Sequence, residues 1–194
     1  MKIAFLSPGS PGRAAAEAHI AKVYEHAYEA QLNDFAPLLA TATNAKGQIL
    51  CAAGLRFAQD EFFSECYLAG DFPTALSQRT GLHIAEDQIM EVTSLASVSP
   101  FPVLPLLDRM IGWGRDRGAI CGVFTATAPL RKLLTRTGLG YVALSPARPE
   151  RVANAQSWGS YYETDPWVCA FVEYETDRAH LTPNHPAGFR EGAA

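Results

Sequence analysis

Between Ile89 and Leu144, three short apolar runs alternate with two longer helical segments, and this alternation constrains the fold more than any other feature of the chain. Ile89–Leu95, Ala119–Thr125 and Tyr141–Leu144 read as strands. A helix from Val103 to Arg117, ended by Gly118, joins the first two. A second helix joins the others, with Thr127 at its N-cap, Ala128 and Pro129 in its first turn, and Gly138 as its stop. Such a βαβαβ order predicts an α/β domain, a mixed sheet covered by helices.

The flanking segments extend the pattern. Ile20, Val23, Tyr24, Ala27 and Tyr28 recur at helical spacing and predict a helix over 13–32. Runs at 37–43 and 48–57, separated by Asn44-Ala45-Lys46-Gly47, predict a hairpin. Phe62–Leu68 reads as a short strand or an irregular segment. Asp71 caps a helix to about Arg79, with Pro73 in its first turn and Gly81 after its end. Trp167–Tyr174 is the final strand. The expected organisation is a single domain over 1–175 and a flexible, polar C-terminal tail over 176–194.

The net charge of −4 argues against a nucleic-acid binder. Cys51, Cys66, Cys121 and Cys169 lack the paired spacing of a zinc site. They read as free thiols, mostly buried, which suits a cytoplasmic protein. His19 and His26 share a helix face without a third ligand, so no metal is expected. Ser7–Gly12 cuts the N-terminal apolar stub short of the about 7–15 residues of a signal peptide. No apolar run reaches the roughly 20 residues of a transmembrane helix.

Three places invite chemistry. Glu91 lies in an apolar strand, where a carboxylate must be paired or have a raised pKa. It therefore reads either as a general base or as the partner of Arg56 on a neighbouring strand, and one residue can do both. Thr125, Thr127 and Arg131 sit where a strand feeds a helix N-terminus, a place for a phosphate or simply a cap. Trp158-Gly159-Ser160-Tyr161-Tyr162 is either packing under a loop or the wall of a pocket. Ser94, Ser97 and Ser99 lack the Gly-x-Ser-x-Gly elbow of a serine nucleophile.

Arg13, Ala53-Gly54-Leu55-Arg56, Glu65-Cys66-Tyr67-Leu68, Ile89-Met90-Glu91-Val92 with Leu95-Ala96-Ser97, Phe124-Thr125-Ala126-Thr127 and Trp158–Tyr162 together resemble the thermostable hemolysin family. At Thr93-Ser94 the family more often has Gly-Asn. The layout is also similar to the acyl-homoserine-lactone synthases of the GNAT superfamily, through Gly54 and Arg56, Glu91, and Thr125 to Gly138. The GNAT phosphate loop is absent, and Ser97-Val98-Ser99-Pro100-Phe101-Pro102-Val103 stands in its place.

These resemblances imply a GNAT-like N-acyltransferase. It would move a fatty acyl group from a phosphopantetheine thioester, on acyl-carrier protein or CoA, to an amine acceptor of amino-acid type. Glu91 would be the base, and backbone N–H groups of Leu95, Ala96 and Ser97 would polarise the carbonyl. Arg56 would orient Glu91 or bind a substrate carboxylate. Thr125, Thr127 and Arg131 would sit at the thioester donor, the latter two holding its phosphate. Tyr161 or Tyr162 would stand near the acceptor or protonate the thiolate. Arg13, Thr93, Ser94 and Trp158 would face the acceptor. The rival expectations are a non-catalytic acyl-thioester or lipid-binding module and a membrane-active hemolysin. Without a membrane-length run, lysis in such a family reads as indirect, through an acylated product.

Overall fold

In the computed structural model, which describes residues 1–172, the predicted hairpin forms and supplies the second and third strands of a seven-stranded mixed sheet. The strands are β1 (Lys2–Leu6), β2 (Leu38–Thr43), β3 (Ile49–Arg56), β4 (Ile89–Ser97), β5 (Cys121–Ala126), β6 (Val142–Pro146) and β7 (Trp167–Val172). The helices are α1 (Arg13–Tyr28), α2 (Phe72–Thr80), α3 (Val103–Arg115) and α4 (Ala128–Arg136). Strand order is β1-β2-β3-β4-β5-β7-β6. Among the described residues, β4 and β5 are the only neighbouring strands that pair in parallel. The strand β7 inserts antiparallel between β5 and β6, so the expected βαβαβ unit is split at its last strand.

Side-chain alternation sorts the helices onto the sheet. On β3, Cys51, Ala53 and Leu55 pack with Leu106 and Met110 of α3. Ala52 points the other way, into a cluster with Ala16 and Ile20 of α1. Ile89, Val123, Val168 and Ala170 cover the face that receives Phe72 and Leu76 of α2. Fully buried side chains of this size contribute about 1.5–3 kcal/mol each.

The helix predicted over 13–32 stops at Tyr28. Glu29 adopts a left-handed φ of 58°, and the chain is then held by Gln31 N–H to Ser157 O (2.7 Å) and Ser160 N–H to Tyr28 O (2.8 Å). Residues 62–68 are irregular, with a short 3-10 turn at Ser64–Tyr67. The apolar stub at Lys2–Leu6, not predicted as a strand, is β1, paired along its length with β2. The expected tail over 176–194, and the end of the final strand at Tyr174, lie outside the described residues.

Candidate active site

The site begins with a fault in β4. Gly54 opposes Thr93 and Ala52 opposes Ala96, so Ser94 and Leu95 together face the single residue Ala53. This is a β-bulge, and Ser94 occupies it with φ 48°. A serine held in the left-handed region costs on the order of 1–3 kcal/mol, and such strain concentrates at functional sites. Beside the bulge the sheet opens. Pairing between β4 and β5 runs from Ile89–Cys121 to Val92–Phe124 and stops, although both strands continue.

Beyond Val92 the backbone of β4 therefore presents polar groups to a gap. Val98 N–H donates to Leu50 O (3.2 Å) on the β3 side. By strand alternation the N–H of Ala96 also faces β3, while those of Leu95 and Ser97 face the gap. Ala96 is fully buried under α1. Of the three residues expected to polarise a carbonyl, Leu95 and Ser97 turn their N–H groups to the gap and Ala96 turns its own to β3. The Ser97 hydroxyl donates to Ser99 O (2.6 Å).

Two cavities meet at the gap. One, of about 750 Å³, has a wall of mixed character, the more polar of the two, and lies among Asn33, Asp34, Arg56, Thr93, Asn154 and Trp158. The other, of about 620 Å³, lies between the sheet and the helices α3 and α4, among Leu107, Ile111, Leu130, Leu133, Tyr141 and Phe171. Tyr24, Val92, Ser94, Thr125 and Tyr161 line both. These five side chains form the throat.

Glu91 stands just behind it, fully buried. Its Oε2 accepts the Phe63 N–H (2.8 Å) and its Oε1 accepts the Ser64 N–H (2.8 Å). Burial raises the pKa of this carboxyl. The Ser64 hydroxyl, the two N–H groups and the charge of Arg56 pull it partly back. Arg56 is directly opposite Glu91 in the β3–β4 register, but its guanidinium donates to the carbonyls of Asp60 (2.9 Å) and Glu61 (3.3 Å) and lies 4.0 Å from Asp34. The expected Arg56–Glu91 pairing is thus a charge effect at a distance, while backbone amides hold the carboxylate.

The hydroxyls of Ser64 and Thr125 share a hydrogen bond of 2.8 Å. A polar chain therefore runs from Glu91 through Ser64 to Thr125 at the throat. Sequence reasoning missed Ser64. It lies in an irregular segment, and nothing local marks a serine whose amide reaches a carboxylate 27 positions away.

A family profile for thermostable hemolysin matches residues 6–175. The chain belongs to the thermostable hemolysin family. No curated relative matches it. Among solved structures it is similar to the AHL synthase LasI, at 13% identity and a TM-score of 0.62 over 97% of each chain. It is similar to FeeM, an N-acyl amino acid synthase from uncultured soil microbes, at 12% identity and 0.57, over 89% of this chain and 95% of that one. It is also similar to a GCN5-related N-acetyltransferase from Kribbella flavida, at 12% and 0.51, over 88% and 98%. At these identities the likeness is one of fold, and the fold is GNAT-like.

The remaining residues of the hemolysin-family motifs divide into throat and scaffold. Tyr161 is buried at the throat, and burial holds the pKa of its phenol well above the ordinary range, so it stays neutral and a weak acid. Tyr162 is turned away and shares a hydrogen bond with the Tyr67 hydroxyl (2.8 Å). Trp158 lines the more polar cavity and packs on Tyr161 with ring centroids 5.2 Å apart. Packing and pocket wall are thus one role for this motif.

Three expected ligand contacts are taken up internally. Arg13 donates to the carbonyls of Leu6 (3.1 Å), Pro37 (2.6 Å) and Ala36 (2.7 Å), and pairs with Glu17 (2.8 Å), fixing the start of α1 rather than facing an acceptor. Arg131 donates to Ala126 O (2.9 Å) and Asp165 O (2.5 Å) and pairs with the Asp165 carboxylate (2.6 Å). That clamp takes the cation away from any phosphate. Thr127 is buried, and its hydroxyl interacts with that of Tyr28. Pro129 also removes an N–H donor from the first turn of α4.

Proposed function

We propose that this hemolysin-family chain is an N-acyltransferase that moves a fatty acyl group from a phosphopantetheine thioester to a small amine of amino-acid type. The observation that carries the reading is the meeting of a mixed, more polar cavity and an apolar one at a single throat, beside a buried carboxylate linked to that throat through Ser64 and Thr125. An amine with a charged partner group suits the first cavity and an acyl chain suits the second. Their reactive ends would meet only at the gap between β4 and β5.

The amine nitrogen attacks the thioester carbonyl carbon, forming the C–N bond and then expelling the thiolate. The proton leaving nitrogen passes to Thr125, from Thr125 to Ser64, and so to Glu91. The Leu95 and Ser97 N–H groups stabilise the oxyanion. Tyr161 stands at the throat beside the acceptor, the thiolate takes its proton from water, and proton exchange with water resets Glu91. Arg56, in the more polar cavity, receives the acceptor's carboxylate, with Thr93, Ser94 and Trp158 around it.

The donor in this reading is acyl-carrier protein. Pro100 and Pro102 remove N–H groups from the segment where a GNAT protein binds a pyrophosphate, and Val98 and Phe101 expose 62% and 76% of their surface there. An apolar, donor-poor loop suits a protein surface better than the phosphates of CoA.

The test is to incubate the protein with acyl-carrier protein thioesters, acyl-CoA and a panel of amines, and to search for amide products by mass spectrometry. Amide formed from the carrier-protein thioester supports the reading. Thioester binding without turnover would favour a binding module and sink the enzymatic claim.

A further inference from the structure

The floor of the apolar cavity contains a glycine that the strand does not need. Gly122 lies in the interior of β5, opposite Met90 on one side and Phe171 on the other. Its φ is not in the left-handed region, and a Cβ added there would meet nothing within 4 Å. Glycine weakens a strand interior, and an alanine at this position would restrict the unfolded backbone without meeting a neighbour. A strand glycine with ordinary dihedrals and empty space above it marks a place where another group approaches the backbone. The space above Gly122 is the apolar cavity, and Met90 and Phe171 also line it. The absent side chain therefore leaves a notch between two large ones.

We infer that Gly122 sets the length of the acyl chain, by letting a long unbranched chain pass over β5 between Met90 and Phe171. This rests on the apolar cavity being the acyl site. Gly122 is three residues below Thr125, roughly 10 Å along the strand. Carbon–carbon bonds of about 1.5 Å advance an extended chain by little more than 1 Å each, so about eight carbons reach the notch from the throat. A shorter chain ends above Gly122 and does not sense the notch. A longer one must cross it.

The experiment is displacement of a fluorescent polyene fatty acid by octanoate, dodecanoate and hexadecanoate, with wild type, Gly122→Ala, Gly122→Val and Gly122→Phe. Thermal melts confirm folding, and Gly122→Val serves as the bulky variant if Gly122→Phe does not fold. Wild type should bind hexadecanoate most tightly. Each methylene kept in water forfeits roughly a fourfold factor, and about four carbons of dodecanoate and eight of hexadecanoate lie beyond the notch, so blocking it should weaken dodecanoate by about a hundredfold or more and hexadecanoate by roughly 10⁴-fold or more. Octanoate should be unaffected. Gly122→Ala should melt no lower than wild type.

Length-graded binding that is the same in wild type and the bulky variants overturns the role of Gly122 and leaves the acyl cavity standing. Absence of fatty-acid binding in wild type overturns the acyl cavity itself, and the inference with it. Loss of octanoate and hexadecanoate alike in a folded variant would show the position blocking the whole cavity rather than measuring length, and also overturns the inference.

Discussion

Replacing Glu91 with glutamine separates the chemistry of this site from its architecture. The side chain is fully buried and accepts two backbone N–H groups at 2.8 Å, one on each oxygen. Glutamine has nearly the same shape but only one acceptor. Whichever way its amide turns, one of the Phe63 and Ser64 N–H groups meets an NH₂. Leaving one buried donor without a partner costs about 1–3 kcal/mol. Removing a carboxylate that burial disfavours offsets part of that. A chain of this size loses roughly 2–4 °C of melting temperature per kcal/mol. With about 5–15 kcal/mol of total stability, the variant stays folded.

Loss of a general base slows turnover by about 10²–10⁴-fold. The catalytic loss should therefore far exceed anything that unfolding explains. The assay is single-turnover acyl transfer on protein whose fold is checked by circular dichroism. Wild-type turnover should rise with pH through a limb above the ordinary glutamate range, because burial raises the Glu91 pKa. The glutamine variant, having no carboxyl to titrate there, lacks that limb. A folded Glu91→Gln protein with wild-type turnover, or with the limb intact, refutes the assignment.

Other consequences follow from single contacts. Ser64→Ala keeps the amide on Glu91 but removes a hydroxyl that draws its pKa down, so the acid limb should move to higher pH as turnover falls; an unmoved limb would detach Ser64 from the proton path. Folding stability carries the same signature. The native Glu91 carboxyl holds its proton more tightly than the unfolded one, so its contribution is complete below the ordinary glutamate pKa. It is lost as pH rises through the raised native value, and Glu91→Gln should flatten that slope in pH-dependent denaturant melts. Gly159→Ala should destabilise by about 3–5 kcal/mol in urea denaturation, since its φ is +52° and the new Cβ would sit 1.9 Å from Tyr28 O. Phe101→Ser should raise KM for the acyl-carrier protein thioester and leave KM for acyl-CoA unchanged; equal effects on both would remove the loop from carrier recognition.

The elements that announced themselves did so through local chemistry. Asp71 caps α2 by accepting the Thr74 N–H (2.8 Å), and Gly81 ends it with φ 75°. Asn44 closes the hairpin by accepting from Lys46 and Gln48. Each signal lies within a few residues of what it determines. What the sequence hid was set from far away. The strand β1 has five residues and no distinctive alternation, and only pairing with β2 makes it a strand. Residues 157–160 stop α1 at Tyr28 across more than a hundred positions. The candidate site divides in the same way. Glu91 is legible because a carboxylate among Ile89, Met90 and Val92 contradicts its surroundings. Arg13 and Arg131 read as ligand contacts, and nothing local in the sequence shows the carbonyls that each guanidinium meets.

The bulge at Ser94 joins the two kinds of information. It places one extra residue on β4 opposite β3, and next to it β4 and β5 stop pairing. Closing that gap would restore ladder hydrogen bonds and relieve a strained serine, so a fold under selection for stability alone would close it. The open gap instead connects a mixed, more polar cavity to an apolar one, with Thr125 and Tyr161 at the junction. A glycine left bare in β5, where alanine would fit, is a second stability loss lining the same space. Two departures from an ideal sheet, both opening onto the apolar cavity, are what a ligand passing through the sheet requires. Independent accidents of packing would have no reason to converge there.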